Sequence, residues 1–408
     1  MIYHMNRKHR YDLRKIAIVG GGIGGLTLAL ALLRRGIDVE VYEQSKEFRV
    51  AGAGIEISPN GTRVLDTLGL KQAFEHVRVE LARRELRHWK TGETWSLFEL
   101  GATSVQRYGA HHMMMHRGDL HRILLEAVRD LKAGVVKLGA KCVGVTQSEE
   151  QVEVQFDTGQ VSSAAYAIGA DGIHSKVRDC IFGVDRPEFT GCVAWRGIVP
   201  AQRILRNFPY QVGTNWLGPG GHLFHYPVRR GALMNFTGIV ERDDWQIESW
   251  AVESTIDELA NDFRGWHRDV QVLIENIEAP FKWALMTRRP LDCWSNGRIT
   301  LLGDACHPTL PFLGQGAVMA IEDAYALAAC LEKYFEFPSL AFARYEEIRR
   351  ARTALVIRKS QENRKQVFSP VLANECQIAA TVKNEWQQVR VKERLDWLYC
   401  YDVTAACI

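Results

Sequence analysis

The chain has 408 residues, 47% of them hydrophobic and 24% charged, a composition typical of a globular protein with two or three domains. Its 51 basic residues exceed its 48 acidic ones by only three, and the basic excess lies in 1–15 and 344–365, so the overall positive field of a nucleic-acid-binding protein is absent. Nine cysteines without a C-x-x-C pair argue against a disulfide framework and a zinc site. We therefore expect a cytoplasmic protein without a metal site.

The first segment of interest is an uncharged run, Ile16–Leu33, that follows the basic N-terminal residues. Its length would suit a signal peptide or a short membrane span. However, five of its residues are glycines within 20–25, no cleavage site is recognisable, and no second long apolar run follows. We therefore expect no membrane association.

The same run opens a nucleotide-binding pattern. In chain order its parts are a β-branched strand at 15–20, glycines at 20, 22 and 25, a helix at 26–35, a strand at 38–43 and an acid at 43. Gly20 would permit the tight turn, Gly22 would let the backbone approach a pyrophosphate, and Gly25 would let the helix pack on the strand. Glu43 can accept hydrogen bonds from a ribose. The order predicts binding of FAD or NAD, between which the motif does not decide, and a glycine turn without a ligand is the alternative.

Two further predicted strands end in glycine and aspartate. They are 166–172, which runs into Asp171 and Gly172, and 298–304, which runs into Gly303 and Asp304. An acid at the carboxyl end of a parallel strand lies at the ligand crevice, so Asp304 can bind a sugar-like hydroxyl. Gly314 and Gly316, before a helix predicted at 317–334, leave N–H groups that could stabilise a reduced flavin. Each glycine–acid pair taken singly could also be an ordinary turn.

The pattern changes between 186 and 289 to short strands rich in aromatic and β-branched residues. The predicted strands are Thr190–Val199, Gln211–Leu217, His222–Val228 and Ala232–Val240. Segment 76–104 is a candidate for further strands, and 254–276 is predicted to be helical. Alternate residues of a strand share a face, so His222, Phe224 and Tyr226 should point together. A histidine and a tyrosine beside an aromatic ring can orient a phenol and accept its proton, although an ordinary half-buried sheet fits the residues as well.

Taken together in this order, the 20–43 fingerprint and the two glycine–acid pairs resemble the single-component FAD-dependent aromatic hydroxylases, and in particular the salicylate, 3-hydroxybenzoate and 6-hydroxynicotinate branch. The resemblance covers 15–365. It implies an α/β fold with a Rossmann-like FAD-binding domain, an inserted, mostly antiparallel substrate domain and a C-terminal helical segment. These would be 1–75, 105–185 and 290–338 for the first, 76–104 and 186–289 for the second, and 339–408 for the third.

The resemblance also implies an activity. FAD would be bound non-covalently, NADH or NADPH would bind transiently, and O2 and a small phenolic acid would be the other substrates. Oxygen transfer from a flavin C4a-hydroperoxide would hydroxylate the ring, with decarboxylation where a carboxylate occupies the attacked carbon. The protein would be a monomer or a homodimer.

Single residues acquire implied roles in the same way. The implied cofactor-binding residues are Gly20, Gly22, Gly24, Gly25, Glu43, Gln44, Arg117, Asp171, Asp304, Gly314 and Gly316. His222 and Tyr226 are the implied catalytic pair. Glu56, Arg196 and Phe312 are substrate-site candidates, with a structural ion pair as the alternative for Arg196. Glu56 and Phe312 stand where the hydroxynicotinate type has histidines, which disfavours that substrate.

The sequence leaves other functions open. A flavin halogenase or a reductase would keep the fold, although 195–200 lacks the W-x-W-x-I-P run of a halogenase. A non-catalytic nucleotide-binding or membrane-anchored protein is a third option. Segment 339–365 is predicted to be a solvated helix with a basic face. Residues 366–408 could close the pocket or form a dimer contact.

Overall fold

In a computed structural model of the chain, the described residues are 15–48, 52–204, 208–242, 252–373 and 388–407, with positions 377, 378, 380, 382 and 384. Apart from Lys15, the basic N-terminal segment lies outside these residues. The strands are β1 (Ile16–Val19), β2 (Val39–Glu43), β3 (Gly54–Ile57), β4 (Val79–Glu80), β5 (Arg83–His88), β6 (Thr94–Glu99), β7 (Met113–His116), β8 (Val136–Leu138), β9 (Cys142–Gln147), β10 (Val152–Phe156), β11 (Val161–Ala164), β12 (Tyr166–Gly169), β13 (Glu188–Pro200), β14 (Val212–Gly218), β15 (Gly221–Val228), β16 (Leu233–Glu241), β17 (Val252–Glu253), β18 (Phe281–Thr287), β19 (Ser295–Asn296) and β20 (Ile299–Leu301). The α-helices within these residues are α1 (Ile23–Leu33), α2 (Pro59–Thr67), α3 (Lys71–Phe74), α4 (Ala102–Tyr108), α5 (Arg117–Leu131), α6 (Lys176–Phe182), α7 (Ile256–Asp262), α8 (Arg268–Glu275), α9 (Gly316–Tyr334), α10 (Pro338–Val367), α11 (Gln388–Tyr399) and α12 (Val403–Ala406).

A six-stranded sheet in the order β19-β20-β12-β1-β2-β8 carries the glycine-rich turn at 20–25. All its pairings are parallel except that of the edge strand β19. β1, β12 and β20 are buried along their whole length, as uninterrupted apolar strands of a parallel sheet should be. Because the carboxyl ends of parallel strands meet at one edge, Gly20, Asp171 and Asp304 follow neighbouring strands there. The strands predicted from the glycine–acid pairs are confirmed.

An eight-stranded sheet in the order β17-β18-β13-β16-β15-β14-β5-β6 forms the second part. It is antiparallel except for the β14–β5 pair, so the expected mostly antiparallel sheet is confirmed. α7 and α8 cover one face, where Leu223 of β15 packs in the same apolar cluster as Phe263. Phe224 and Tyr226 pack together on the other face, as the alternation predicted.

A small antiparallel sheet in the order β3-β7-β4 carries Glu56 and leads directly into α5. The strand β4 comes from the 76–104 segment, so that only β5 and β6 of this segment join the eight-stranded sheet. The remaining strands β9, β10 and β11 form a three-stranded antiparallel sheet.

The helix α10 corrects one expectation. It has 30 residues, but Arg349, Arg352, Val356 and Ser360 are buried, so it is not a solvated helix with a uniformly basic face. Arg349 is completely buried because two acids of α9 pair with it.

Across the described part of the chain, no helix is both long and apolar enough to cross a membrane.

Candidate active site

The glycines after β1 differ in their surroundings, since some are closely packed and one borders open space. A Cβ atom on Gly20, whose φ is +110°, would lie 2.3 Å from the carbonyl oxygen of Ala170, and one on Gly25 would lie 2.0 Å from the carbonyl oxygen of Gly20. A Cβ on Gly24 would meet Leu302 at 2.7 Å. These three glycines therefore allow close packing. In contrast, a Cβ on Gly22 would have no neighbour within 4 Å, so the N-terminus of α1 is open to a ligand.

Glu43 lies at the end of β2, beside this turn. Its carboxylate accepts hydrogen bonds from the N–H groups of Gly21, at 2.9 Å, and Ser45, at 2.8 Å. Each oxygen keeps a further lone pair that a ribose hydroxyl can use. The neighbouring Gln44 is exposed.

Arg117 and Asp304 come from different elements but lie near enough for their charges to interact. Both side chains are exposed, and neither has a hydrogen-bond partner among the residues that the structure describes. Desolvation by surrounding protein raises the pKa of Asp304, whereas the positive charges of His307 and Arg117 act against that rise. A carboxylate and a guanidinium thus stand ready to bind polar groups of a ligand.

The Asp171 carboxylate is hydrogen-bonded to residues that follow it closely in the chain. Its carboxylate accepts from the Ser175 hydroxyl at 2.5 Å and from the N–H groups of Lys176 and Val177 at 2.7 and 3.1 Å, which stabilises the start of α6. Its predicted contribution to cofactor binding stays a prediction.

A cavity of about 630 Å³ adjoins the loop Pro311–Gly314. The eight-stranded sheet supplies one wall, and the end of α10 together with α11 supplies the opposite one, including Trp397 and Tyr399. The described part of 366–408 thus lines the cavity, and the dimer contact expected as the other option stays a prediction. Gly314 lies on the loop side, where a Cβ would come within 3.1 Å of the Glu56 carboxylate, and Gly316 begins α9.

His222 lines this cavity on the sheet side, 6.4 Å from Phe312 between ring centroids. Its Nε2 lies 3.3 Å from Oδ1 of Asn215. Burial, with a smaller effect of the nearby Arg84 charge, lowers the pKa of His222 to about 4. The imidazole is therefore neutral at pH 7, as the proposed role requires, but it is a weaker base than an ordinary histidine.

Tyr226 occupies a different position from the one expected for a residue beside the substrate ring. It is buried behind Phe224, at 4.8 Å between ring centroids, and is absent from the described residues that line the cavity. Burial raises its pKa, and the adjacent Arg196 opposes that rise. Arg196 itself donates to the carbonyl of Gly54 at 3.1 Å, and within the described ranges no carboxylate pairs with it, so the structural ion pair is not formed there.

Glu56 lies at the cavity wall in a charged cluster that the sequence did not indicate. Its carboxylate contacts Nη2 of Arg84 at 3.0 Å and Nε2 of His112 at 2.6 Å. Burial alone would raise the pKa of Glu56, but Arg84 and His112 lower it, so the group stays ionised. Tyr399 of α11 packs edge-on against His112. The available signal was that Arg84 shares a strand face with the apolar Leu86, two residues later on β5.

A second buried cluster holds the Gly303–Asp304 turn. Asp323 of α9 accepts from the Gly303 N–H at 3.1 Å and lies 2.6 Å from Nε2 of His307, while Arg349 binds Asp323 at 2.7 Å and Glu322 at 2.6 Å. Burial would lower the pKa of His307, but the charge of Asp323 raises it well above the ordinary value. The contact with Asp323 thus fixes the position of His307 in this loop. Two adjacent acids within an apolar helix were the signal for this cluster.

Comparison with known proteins agrees with this geometry. The family model described as FAD binding domain matches residues 14–360. The chain belongs to the FAD-binding domain family. It is 43% identical over 348 residues, 85% of this chain and 87% of the other, to 3-amino-4-hydroxybenzoate 2-monooxygenase of Streptomyces platensis. It is 37% identical over 354 residues, 86% of this chain and 91% of the other, to 6-hydroxynicotinate 3-monooxygenase of Pseudomonas fluorescens.

Among solved structures, a salicylate hydroxylase substrate complex superposes with a TM-score of 0.80 at 27% identity and covers 97% of this chain and 98% of its own. The predicted resemblance, the fold class and FAD as the cofactor are thereby confirmed. This FAD-binding protein is an aromatic-ring monooxygenase that acts on hydroxylated aromatic acids. The open space at Gly22, together with Arg117 and Asp304, which have no hydrogen-bond partner in the described ranges, fits the phosphate and sugar-alcohol parts of FAD.

Proposed function

We propose that the protein hydroxylates a small phenolic aromatic acid of the salicylate kind, with NADH or NADPH as the reductant and O2 as the oxidant. Where the carboxylate occupies the attacked carbon, it would leave as carbon dioxide. The observation that carries the proposal is the cavity beside Gly314, which has mostly apolar walls and a neutral imidazole on one side. Its volume of about 630 Å³ accommodates a single aromatic ring with polar substituents.

Different residues of the chain would bind the cofactor and exclude water from the cavity. When bound, FAD supplies the oxygen chemistry. The N–H groups at the start of α1 would hold its pyrophosphate, Arg117 would add a positive charge, and Asp304 would accept from its ribityl hydroxyls. The α11 residues Trp397 and Tyr399, with the end of α10, would exclude water from the cavity.

His222 would orient the phenol by a hydrogen bond, and the phenol proton would not be transferred fully to it. With a pKa of about 4, against about 10 for a phenol, transfer to His222 is uphill by about 8 kcal/mol at 1.36 kcal/mol for each tenfold change. A phenolate in the cavity would lessen this cost, because its negative charge favours the imidazolium. We therefore expect the neutral imidazole to accept a hydrogen bond from the phenol O–H and so to orient the ring, while the proton stays on the phenol oxygen.

An amino-substituted hydroxybenzoate is a second candidate substrate. The ionised Glu56 carboxylate at the cavity wall can accept a hydrogen bond from a ring amine. The relative from Streptomyces platensis, with 43% identity, is named for such a compound.

The test is NADH and NADPH oxidation by the purified, FAD-loaded protein. Salicylate, 3-hydroxybenzoate, 4-hydroxybenzoate, 6-hydroxynicotinate and 3-amino-4-hydroxybenzoate would be supplied in turn, with products identified by mass. Stimulation together with a hydroxylated product supports the proposal, and greatest turnover of the amino compound favours the second candidate. A flavin-containing protein that none of these acids stimulates would contradict both. His222→Ala should lower the yield of hydroxylated product for each NADH consumed.

A further inference from the structure

We infer that Arg84 binds the carboxylate of the aromatic substrate, an assignment that rests on the proposed function. Arg84 lies on β5, where it shares a face with Leu86, and both side chains line the cavity. Its guanidinium carbon lies 4.4 Å from the centroid of the Phe224 ring. A planar guanidinium on an aromatic wall is well placed to form two parallel hydrogen bonds with a carboxylate.

The contacts of Arg84 leave donors for a ligand. Nη2 donates to Glu56 at 3.0 Å, and among the described residues Nη1 has no hydrogen-bond partner, so Nη1 and the second N–H of Nη2 remain for a ligand. Nε also has no partner there, but it is buried. The side chain is 14% exposed, so the cation is largely removed from water and still reaches the cavity. An incompletely bonded, largely buried guanidinium favours an incoming anion.

The other basic groups of the cavity are less suitable. Lys359 is 42% exposed and pairs with Glu362 at 2.8 Å, and Arg394 donates to Gln366 at 3.1 Å on the helical side. His222 is neutral at pH 7. Within the described lining, Arg84 is therefore the charged donor that belongs to the sheet wall on which His222 lies.

Glu56 would serve as the counter-ion of Arg84 when the cavity holds no substrate. It neutralises Arg84 while no substrate is present and keeps its second partner, His112 at 2.6 Å, when a substrate carboxylate approaches Arg84. His222 and Arg84 flank Phe224 on this wall, so an acid held by Arg84 would lie along the aromatic surface with its hydroxyl toward His222. The pair thus selects rings that carry both groups.

The experiment compares 3-hydroxybenzoate with phenol, which lacks the carboxylate. Binding to the FAD-loaded protein is followed by the change in flavin absorbance, and Kd is determined for both compounds. Arg84→Met should weaken 3-hydroxybenzoate binding by about 30-fold, equivalent to ~2 kcal/mol for a charge-assisted hydrogen bond, and phenol binding by less than about threefold. Arg84→Lys should fall between the wild type and Arg84→Met for the acid.

Controls separate the possible failures. Arg83→Met changes the adjacent arginine, which is 43% exposed and points to the other face, and should leave both Kd values unchanged. The double variant Arg84→Met with Glu56→Gln avoids an uncompensated carboxylate and should show the same selective loss if the single variant folds poorly. Equal weakening of both compounds, or undiminished acid binding by a folded variant, would overturn the role of Arg84. Wild-type protein that binds none of the hydroxybenzoates would instead overturn the proposed function.

Discussion

Gly22 and Gly25 occupy the same glycine turn but should respond differently to alanine. Gly22 has a φ of −75°, which alanine adopts without strain, and its Cβ would enter empty space at the start of α1. Gly22→Ala should therefore leave the apoprotein as stable as the wild type or stabilise it by up to about 1 kcal/mol. The methyl group would instead occupy the approach of the FAD pyrophosphate. Loss of one charge-assisted hydrogen bond, ~2–3 kcal/mol, corresponds to a rise in the Kd for FAD of roughly 30- to 150-fold.

Gly25→Ala is the matched comparison. Its Cβ would lie 2.0 Å from the Gly20 carbonyl oxygen, so α1 must move away from β1. Such overpacking should lower the free energy of unfolding of the apoprotein by about 1–3 kcal/mol. Urea unfolding of apoprotein and quenching of flavin fluorescence measure the two quantities separately. Unchanged FAD affinity of Gly22→Ala, or a loss of apoprotein stability as large as that of Gly25→Ala, would refute the assignment of these glycines.

Three further variants test other parts of the structure. Arg349→Met leaves two fully buried carboxylates without their guanidinium and should lower the free energy of urea unfolding by about 3–5 kcal/mol, whereas Arg350→Met, at an exposed position of the same helix, should change it by less than about 0.5 kcal/mol. Burial lowers the pKa of His225 to about 3, so the unfolded chain binds one more proton between pH 6.5 and 3 and stability falls as the pH drops through this window, by up to about 5 kcal/mol. His225→Leu should flatten the pH dependence of the urea midpoint, and an unchanged slope would contradict this explanation. Asp304→Asn should weaken FAD binding about tenfold, from flavin fluorescence titration, without destabilising the apoprotein; unaltered affinity would remove Asp304 from the cofactor site.

The nucleotide-binding half was predictable because its signals are local. An apolar strand that ends in glycine or glycine–aspartate reports both a buried parallel strand and a turn at its carboxyl end. The strands that precede Gly20, Asp171 and Asp304 therefore had the predicted positions, and their common sheet brought the three turns to one edge.

The sheet wall of the cavity was less predictable because its contacts join distant parts of the chain. The parallel pairing of β5 with β14 aligns Leu86 with Asn215, and no local pattern specifies this register. The pairing decides that Arg84 reaches the cavity. Tyr226 was placed on the correct face, but whether it borders the cavity depends on Phe224 and on Arg196 from another strand.

The C-terminal helices show the same limit for charge patterns. Alternation of basic and acidic residues in α10 resembles a solvated surface, whereas Arg349 is buried because Glu322 and Asp323 lie on the facing side of α9. A charge run on one helix does not reveal the charge of the helix that packs against it. Likewise, only the packed structure places Tyr399 beside His112 at the cavity.

The most direct test of the account is isotope incorporation from 18O2. The FAD-loaded protein would be supplied with NADH and the hydroxylated aromatic acid that most stimulates NADH oxidation, and the product would be analysed by mass spectrometry. An aromatic-ring monooxygenase should place one 18O atom in each product molecule, with water as the source of none. NADH oxidation that leaves every acid unchanged, or a product whose new oxygen comes from water, would contradict the account.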